Sequence, residues 1–273
     1  MSHSYTRTEL KNYFFEALEM FNDCLGSDIS EKNVVLEFFT PSTGVEVYER
    51  FCTQHFPNML EEAYTEEDYF EAFGAQAFLN EDEYGVLIRE DIDFSLDELL
   101  QMFLHEISHL YCSRNEIDGG NFFDKYCMGS GAEDGMMNAG YAIWREAVAD
   151  ILADSIISEY ATITLASVND IVKEYYEALS PQKVESKKAM SLIIVYIMIS
   201  KEVASTVEWN KAEKAIKNTI PIDDSLLMAI LKQVFDQLHR EPFWRITPDF
   251  VMSLGETYLS MLTHKLFRGF VVP

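Results

Sequence analysis

The sequence predicts an α+β fold, with a small mixed lobe first and helices over most of the remaining chain. Runs of β-forming residues are concentrated in the first 95 residues, whereas apolar residues recur at helical spacing after that point. Of the 273 residues, 48% are hydrophobic and 13% are aromatic, which is too apolar for a disordered chain. The chain is therefore long enough to bury a core without disulfide staples.

The first lobe is expected to hold a helix and three strands. Apolar residues at helical spacing predict a helix over Thr8–Cys24, and the β-forming run Asn33–Thr40 predicts a strand. Two further strands are predicted at Ala75–Leu79 and Tyr84–Arg89. The short acidic turn Asn80–Glu83 joins these two strands, so we expect them to form a hairpin.

Helices are predicted after residue 95, at about 96–115, 141–160, 167–180, 184–206, 223–240 and 248–265. A glycine-rich segment, Ser113–Gly140, interrupts them and is predicted to be a long loop. The most apolar run, Ala189–Ser200, is shorter than the about 18–20 residues that a bilayer requires, which indicates a buried helix. We expect a mixed lobe at 1–94, a helical core at 95–165 and a C-terminal helical lobe at 166–273, packed as one compact unit.

The charge balance excludes two classes of partner. The chain has 46 acidic and 21 basic side chains, a formal net charge of −25. It has no cluster of lysine and arginine that could bind a nucleic acid or an anionic membrane. The first residues show no apolar secretory signal, and the four cysteines form no CxxC pair. A cytoplasmic protein with reduced thiols is therefore expected.

One short motif carries the chemistry: His105, Glu106 and His109 form the pattern HExxH. Residues four apart on a helix lie on the same face, so both imidazoles could bind one tetrahedral zinc ion. Glu106 would then lie beside a water activated by the metal and could accept its proton. The motif therefore predicts a zinc site with a general base.

The surroundings of the motif favour this interpretation. Ser95 and Glu98 have the spacing of a capping box, which predicts that the helix begins there. The apolar residues of this helix fall on one broad stripe: Leu96, Leu99, Leu100, Phe103, Leu104, Ile107, Leu110 and Tyr111. His105 and His109 fall on the opposite side, where a core histidine would not lie. The alternative is that both are solvated histidines on the polar face of an ordinary helix.

The third ligand has to come from another part of the chain. The pattern HExxHxxGxxH is excluded, because Cys112 and Asn115 occupy its glycine and last histidine positions. Glu146 and Asp150 lie four residues apart on a predicted helix, so Glu146 is the candidate ligand and Asp150 would orient a ligand histidine. Small residues share their face and would let two helices approach closely: Ala142, Ala149 and Ala153. The alternatives are a solvated acidic face, and Cys112 as the ligand.

This arrangement resembles the gluzincin type of zinc metallopeptidase, the thermolysin-like superfamily. The resemblance covers roughly residues 84–160 and depends on HExxH and on the downstream pattern ExxxD. It implies a zincin-like core in which His105, His109 and Glu146 bind one zinc ion, with Glu106 as the general base.

The resemblance also implies where a substrate would bind. Asp150 would support a ligand histidine, and Tyr84–Arg89 would be the edge strand above the active-site cleft. An extended peptide would then pair with the backbone of three residues of this strand, Gly85, Val86 and Leu87.

The predicted function is that of a zinc-dependent metallopeptidase acting on a peptide or protein substrate. Zinc and Glu106 would activate a water that attacks the peptide carbonyl, and Glu106 would pass the proton to the leaving amine. Tyr141 is the candidate donor to the oxyanion, with Arg145 and His239 as alternatives. An acidic rim around the cleft would favour basic peptides.

Three other functions are compatible with the same residues. The chain could be a regulatory or binding protein that retains a metallopeptidase-like fold, or a zinc hydrolase of a non-peptide substrate. Peptide deformylases contain HExxH too, but they take a cysteine ligand from an upstream motif whose other residues are missing around Cys52. The motif could also be accidental in a helical structural protein. Metal content and chelator sensitivity would separate these functions.

Overall fold

The structure, a computed structural model, describes residues 4–59, 70–71, 74–80, 82–117, 122–129, 131–157, 209–210, 213–214, 225–239 and 246–257. The chain divides into two compact units. The first unit comprises residues 1–115 and 152–161, and the second comprises residues 116–151 and 162–273. The predicted helices at 167–180 and 184–206, with the apolar run Ala189–Ser200, lie outside the described residues. The lobe boundaries expected after residues 94 and 165 stay predictions.

The first unit confirms the predicted elements of the mixed lobe and adds one helix. In chain order its elements are α1 (Arg7–Leu25), β1 (Val34–Phe39), α2 (Gly44–His55), β2 (Ala75–Leu79), β3 (Tyr84–Arg89) and α3 (Leu96–Arg114). Short 3₁₀ turns lie at Glu31–Asn33, Pro41–Thr43 and Pro57–Met59. The helix α2 is absent from the predicted elements. A small sheet flanked by helices confirms the α+β class.

The three strands form one sheet in the order β1-β3-β2. β2 and β3 are antiparallel and neighbours in sequence, which confirms the predicted hairpin. The side chain of Asn80 closes the turn, because its Oδ1 accepts backbone hydrogen bonds from Asp82 at 2.8 Å and Glu83 at 2.7 Å. β1 pairs with the other side of β3 in parallel.

β3 is the central strand of the sheet and not the predicted edge strand. The backbone at Gly85, Val86 and Leu87 pairs with β1 on one side and with β2 on the other. The prediction that these three residues bind a peptide by strand pairing is therefore wrong, because their backbone groups are already used. Gly85 has a packing role instead, since a Cβ at this position would collide with the ring of Phe56.

The helix α3 carries the HExxH motif and begins where the sequence predicts. The Ser95 backbone N–H donates to Glu98 Oε2 at 2.7 Å, and the Glu98 backbone N–H donates to Ser95 Oγ at 3.4 Å, which confirms the capping box. α3 packs against α1 and β2. Five of its apolar side chains are buried in the core of the first unit: Leu99, Phe103, Leu104, Ile107 and Leu110. The motif is therefore built on a helix that the core holds firmly.

Helices make up the described part of the second unit. They are α4 (Phe122–Tyr126), α5 (Ala132–Ile157), α6 (Ser225–Leu238) and α7, which is helical over 248–257. The last residues of α5 belong to the first unit, where three of them lie in the core: Ala153, Ile156 and Ile157. In the second unit, Gln237 of α6 donates to the Ser253 hydroxyl of α7 at 2.8 Å. None of the described helices is long and apolar enough to cross a membrane.

The predicted loop Ser113–Gly140 is wrong over much of its length. α3 continues to Arg114, α4 lies inside the segment, and α5 begins at Ala132 rather than near residue 141. The glycines of this segment weaken its helical pattern, because glycine is a poor helix former in isolation. Tertiary packing overrides that preference here.

Close packing of α5 on α7 explains one of these glycines. A Cβ on Gly140 would collide with the backbone carbonyl oxygen of Val251, and a Cβ on Gly255 would collide with that of Met136. The two helices therefore touch through their backbones, which only glycine permits. Gly135, one and a half turns earlier on α5, faces open space.

Alanine substitutions at Gly140 and Gly135 are expected to have opposite effects on stability. Gly140→Ala should lower the free energy of unfolding by about 1–3 kcal/mol, the usual range for overpacking. Gly135→Ala should raise it by about 0.5–1 kcal/mol, because its Cβ would meet nothing within 4 Å and alanine favours the helix. Urea denaturation of both variants measures the difference. A neutral Gly140→Ala would contradict the close contact of α5 and α7.

Candidate metal centre

His105 and His109 face each other on α3. Their Nε2 atoms lie 3.0 Å apart, and their ring centroids lie 4.7 Å apart with the planes nearly perpendicular, at 88°. The helix creates this arrangement, because side chains four residues apart lie one above the other on the same face. The two residues are 8% and 6% exposed, so the alternative of two solvated histidines is wrong.

The short distance between the two Nε2 atoms limits how the two rings can be protonated. A hydrogen bond between them requires that one ring carries the proton and the other offers a lone pair. Two protonated rings would repel each other in these buried surroundings. The remaining possibility is that both rings offer lone pairs to one cation, which is the arrangement of a metal site.

The motif contains one further polar residue, and its hydrogen bond is internal to α3. The Ser108 hydroxyl is fully buried and donates to the Leu104 carbonyl oxygen at 2.7 Å. A serine bonded back to its own helix is a common way to bury a hydroxyl. Ser108 is therefore used in the structure of the helix, which leaves the two imidazoles and Glu106 as the chemical groups of HExxH.

Glu146 of α5 completes a group of three ligand atoms. One carboxylate oxygen of Glu146 and one ring nitrogen from each of His105 and His109 all lie within 4.8 Å of one another. A tetrahedral ion with bonds of about 2.0–2.2 Å holds its ligand atoms about 3.3–3.6 Å apart. The histidine nitrogens are therefore slightly closer than such an ion requires, and the carboxylate is within a small side-chain adjustment. The donor set and its spacing fit one zinc-sized cation.

Glu106 and Asp150 lie next to these ligands on their helices. Glu106 directly follows His105 and is 8% exposed, and Asp150 follows Glu146 by one helical turn and is 3% exposed. A buried carboxylate is stable only where hydrogen bonds or positive charge compensate it, and a bound cation would supply such charge. Their predicted roles as general base and as orienting residue stay predictions.

Tyr141, the predicted oxyanion donor, lies in an aromatic cluster of the second unit. Its ring stacks on Phe122 with centroids 5.8 Å apart and an interplanar angle of 9°, and it also contacts Phe123 and Trp144. Five residues separate it from Glu146, which places it about 140° away around the α5 axis. The described contacts explain Tyr141 as a packing residue, and its role as a donor stays a prediction without support.

Arg145 and His239 are the two alternative candidates for the oxyanion donor. Arg145 is exposed on α5. His239 follows α6, where its Nδ1 lies 2.9 Å from the carbonyl oxygen of Phe235 and its ring stacks on the ring of Phe235 at 3.9 Å. A histidine at this place satisfies a carbonyl at the end of its own helix. Neither the exposure of Arg145 nor the contacts of His239 indicate a role in catalysis.

Three of the four cysteines, all of them buried, give no support for cysteine chemistry. Cys112 is buried on α3, but it is not in the group of converging ligand atoms. Burial raises the pKa of the Cys52 thiol, and burial together with the negative charge of Asp134 raises the pKa of the Cys127 thiol. Both thiols therefore stay protonated at neutral pH, where a protonated thiol is a poor nucleophile and a poor metal ligand.

One contact near the metal group has no counterpart among the sequence predictions. The Gln101 side-chain amide of α3 donates to Asp154 Oδ1 of α5 at 3.0 Å. Gln101 lies four residues before His105, and Asp154 lies four residues after Asp150. Extending the helical faces of the two motifs by one turn would have found both residues.

Comparison with known proteins gives no match: no family model, no curated protein and no solved structure matches the chain. The interpretation of the metal centre therefore depends on the geometry of its own residues. That geometry consists of three converging ligand atoms, two of them on the buried part of a single helix.

Proposed function

We propose that the protein is a zinc-dependent metallopeptidase. The observation that carries the proposal is the convergence of His105, His109 and Glu146, whose ligand atoms lie within 4.8 Å of one another. Two imidazoles and one carboxylate form the ligand set of several catalytic zinc sites, in which a water or the substrate takes the fourth position. The similarity of HExxH and the downstream ExxxD to gluzincins favours a peptide bond as the substrate.

The donor set favours zinc over the hard cations. Imidazole nitrogen suits zinc and other late transition metals, whereas calcium and magnesium prefer sites made of oxygen atoms. Two of the three converging donors are imidazole nitrogens. Three protein ligands also leave one tetrahedral position open, as a catalytic site requires.

The residues of the metal centre have different roles in the proposed hydrolysis. A zinc ion bound here would polarise the substrate carbonyl and make a water nucleophilic near neutral pH. His105 and His109 are held in direction by α3, whose apolar side is buried in the core. The Glu106 carboxylate accepts a proton from the attacking water and then donates it to the amine nitrogen as the C–N bond breaks. Its place beside His105 and its burial suit this role.

Removal of the metal is expected to stop peptide cleavage, and zinc is expected to restore it. The full chain is incubated with a library of capped synthetic peptides, and products are identified by mass spectrometry. After treatment with a chelator and buffer exchange, cleavage should cease. One equivalent of zinc should restore it, whereas calcium or magnesium should not, because they bind nitrogen ligands poorly.

A His105→Ala chain purified in parallel is the control for a contaminating peptidase. Cleavage that survives both the chelator and this substitution would contradict the proposal. Bound zinc without cleavage of any peptide would instead support a regulatory or binding protein. Zinc-dependent hydrolysis restricted to small esters or non-peptide amides would support a zinc hydrolase of a non-peptide substrate.

A further inference from the structure

Gln101 and Asp154 join the two ligand-bearing helices within the first unit. The Gln101 Nε2 amide donates to Asp154 Oδ1 at 3.0 Å, and both side chains are half-buried. A hydrogen bond from an amide to a carboxylate is charge-assisted, so it is stronger than one between neutral groups. It is also directional, because the donor and acceptor must stay aligned. Such a bond opposes sliding of one helix along the other.

The pair lies on the ligand-bearing faces of both helices. Gln101 is four residues before His105 on α3, and Asp154 is eight residues after Glu146 on α5. At about 100° per residue, Gln101 is offset from His105 by about 40° around its helix axis and Asp154 from Glu146 by about 80°, so each lies on the same broad side of its helix as its ligand.

The apolar contacts of α5 with the core of the first unit are non-directional. Its contributions to the core of the first unit are small or aliphatic: Ala153, Ile156 and Ile157. Burial of apolar surface is non-directional, and a short slide of such a helix changes the buried area little. A metal centre needs its ligands within about 0.5 Å of the productive geometry. A directional contact close to the ligands can supply that accuracy.

We infer that Gln101 and Asp154 are positioning residues of the metal centre. Their hydrogen bond sets the axial position of α5 along α3, and this holds the Glu146 carboxylate against His105 and His109. The inference rests on the proposed zinc site. Gln101 and Asp154 act through the helices and not by contact with the ion or the substrate.

An isosteric exchange of the donor and the acceptor tests the role of this bond. Gln101→Glu places two carboxylates opposite each other, and we expect zinc to bind about 10–100-fold more weakly, the range typical of residues that orient metal ligands. The double variant Gln101→Glu with Asp154→Asn restores an amide–carboxylate bond with its direction reversed. Zinc affinity should therefore return towards that of the wild type. A chromophoric chelator in competition with the full chain measures the dissociation constant of zinc.

A matched control separates positioning from a general loss of stability. Arg7 of α1 forms an ion pair with Glu90, with Nη2 2.9 Å from Oε1, and neither residue lies on a ligand-bearing helix. Arg7→Glu also opposes two carboxylates in the first unit, so it should lower the midpoint of urea unfolding without changing zinc affinity. If Gln101→Glu fails to fold, Gln101→Met removes the donor at similar side-chain length, and we expect about 10-fold weaker zinc binding.

Failure of this inference can be distinguished from failure of the proposed function. If the wild type binds zinc and the Gln101 variants bind it equally well, the positioning role is overturned while the zinc site stands. Absence of rescue in the double variant would also overturn it. A wild type that binds no zinc would overturn the proposed function, and the inference with it.

Discussion

Replacing Glu106 with glutamine is expected to remove nearly all peptide hydrolysis and to leave zinc bound. The amide has nearly the same size and can occupy the same buried position on α3, but it cannot accept a proton from the attacking water. General base catalysis contributes about 10²–10⁴-fold to the rate, so kcat/KM should fall by that factor. Glu106 is not one of the three converging ligands, so zinc content should not change. Peptide cleavage and metal analysis on the same sample measure both quantities.

Two further variants make this test specific. Asp97→Asn exchanges a carboxylate for an amide in the exposed first turn of the same helix, so its activity should equal that of the wild type. Glu106→Asp keeps the carboxylate but withdraws it by one methylene, so its activity should lie between those of the wild type and Glu106→Gln. Full activity in Glu106→Gln would contradict the proposed mechanism. Loss of zinc in that variant would show that Glu106 helps to bind the metal.

Features that depend on neighbouring residues could be predicted from the sequence. The capping box of Ser95 and Glu98 involves residues three apart, and the turn around Asn80 is closed by bonds to the next few residues. In the same way, the geometry of one helix explains why His105 and His109 face each other. Each of these needs no knowledge of the rest of the chain.

Two features that depend on distant parts of the chain could not be predicted. β3 is central because β1 pairs with it in parallel, and a parallel pair between strands that are not consecutive leaves no turn signal in the sequence. The sequence predicts a loop at Gly140, because glycine weakens a helical pattern. Glycine is required at this position because a Cβ would collide with the backbone carbonyl oxygen of Val251. Val251 is more than a hundred residues away in the sequence.

The candidate site also combines features set by neighbouring residues with features set by distant ones. The two histidines follow from local spacing, whereas the meeting of Glu146 with them depends on how α5 packs. The sequence indicated Glu146 through small residues on its face and through a resemblance to gluzincins, and the structure brings its carboxylate to the histidine pair. The bond between Gln101 and Asp154 gives no signal of its own, because glutamine and aspartate are common on the polar side of any helix.

Zinc is expected to stabilise the folded chain, and Glu146→Ala is expected to remove most of this effect. A ligand that binds only the folded state adds about 2.7 kcal/mol of stability when its concentration is 100 times Kd. For a chain of this size that corresponds to a rise of about 5–10 °C in Tm. Without the Glu146 carboxylate two histidines remain, so the rise at the same zinc concentration should largely disappear. Differential scanning calorimetry with and without zinc measures it.

The control for this test lies on the same helix. Glu133 is exposed in the first turn of α5, so Glu133→Ala removes an equal charge but no proposed ligand. Its Tm should rise with zinc as much as that of the wild type. The comparison matters because a chain with a net charge of −25 binds divalent cations weakly at many carboxylates, and such binding would respond equally to both substitutions. A rise in Tm that survives Glu146→Ala but is lost in His105→Ala would support the histidine pair as zinc ligands. It would contradict Glu146 as the third ligand.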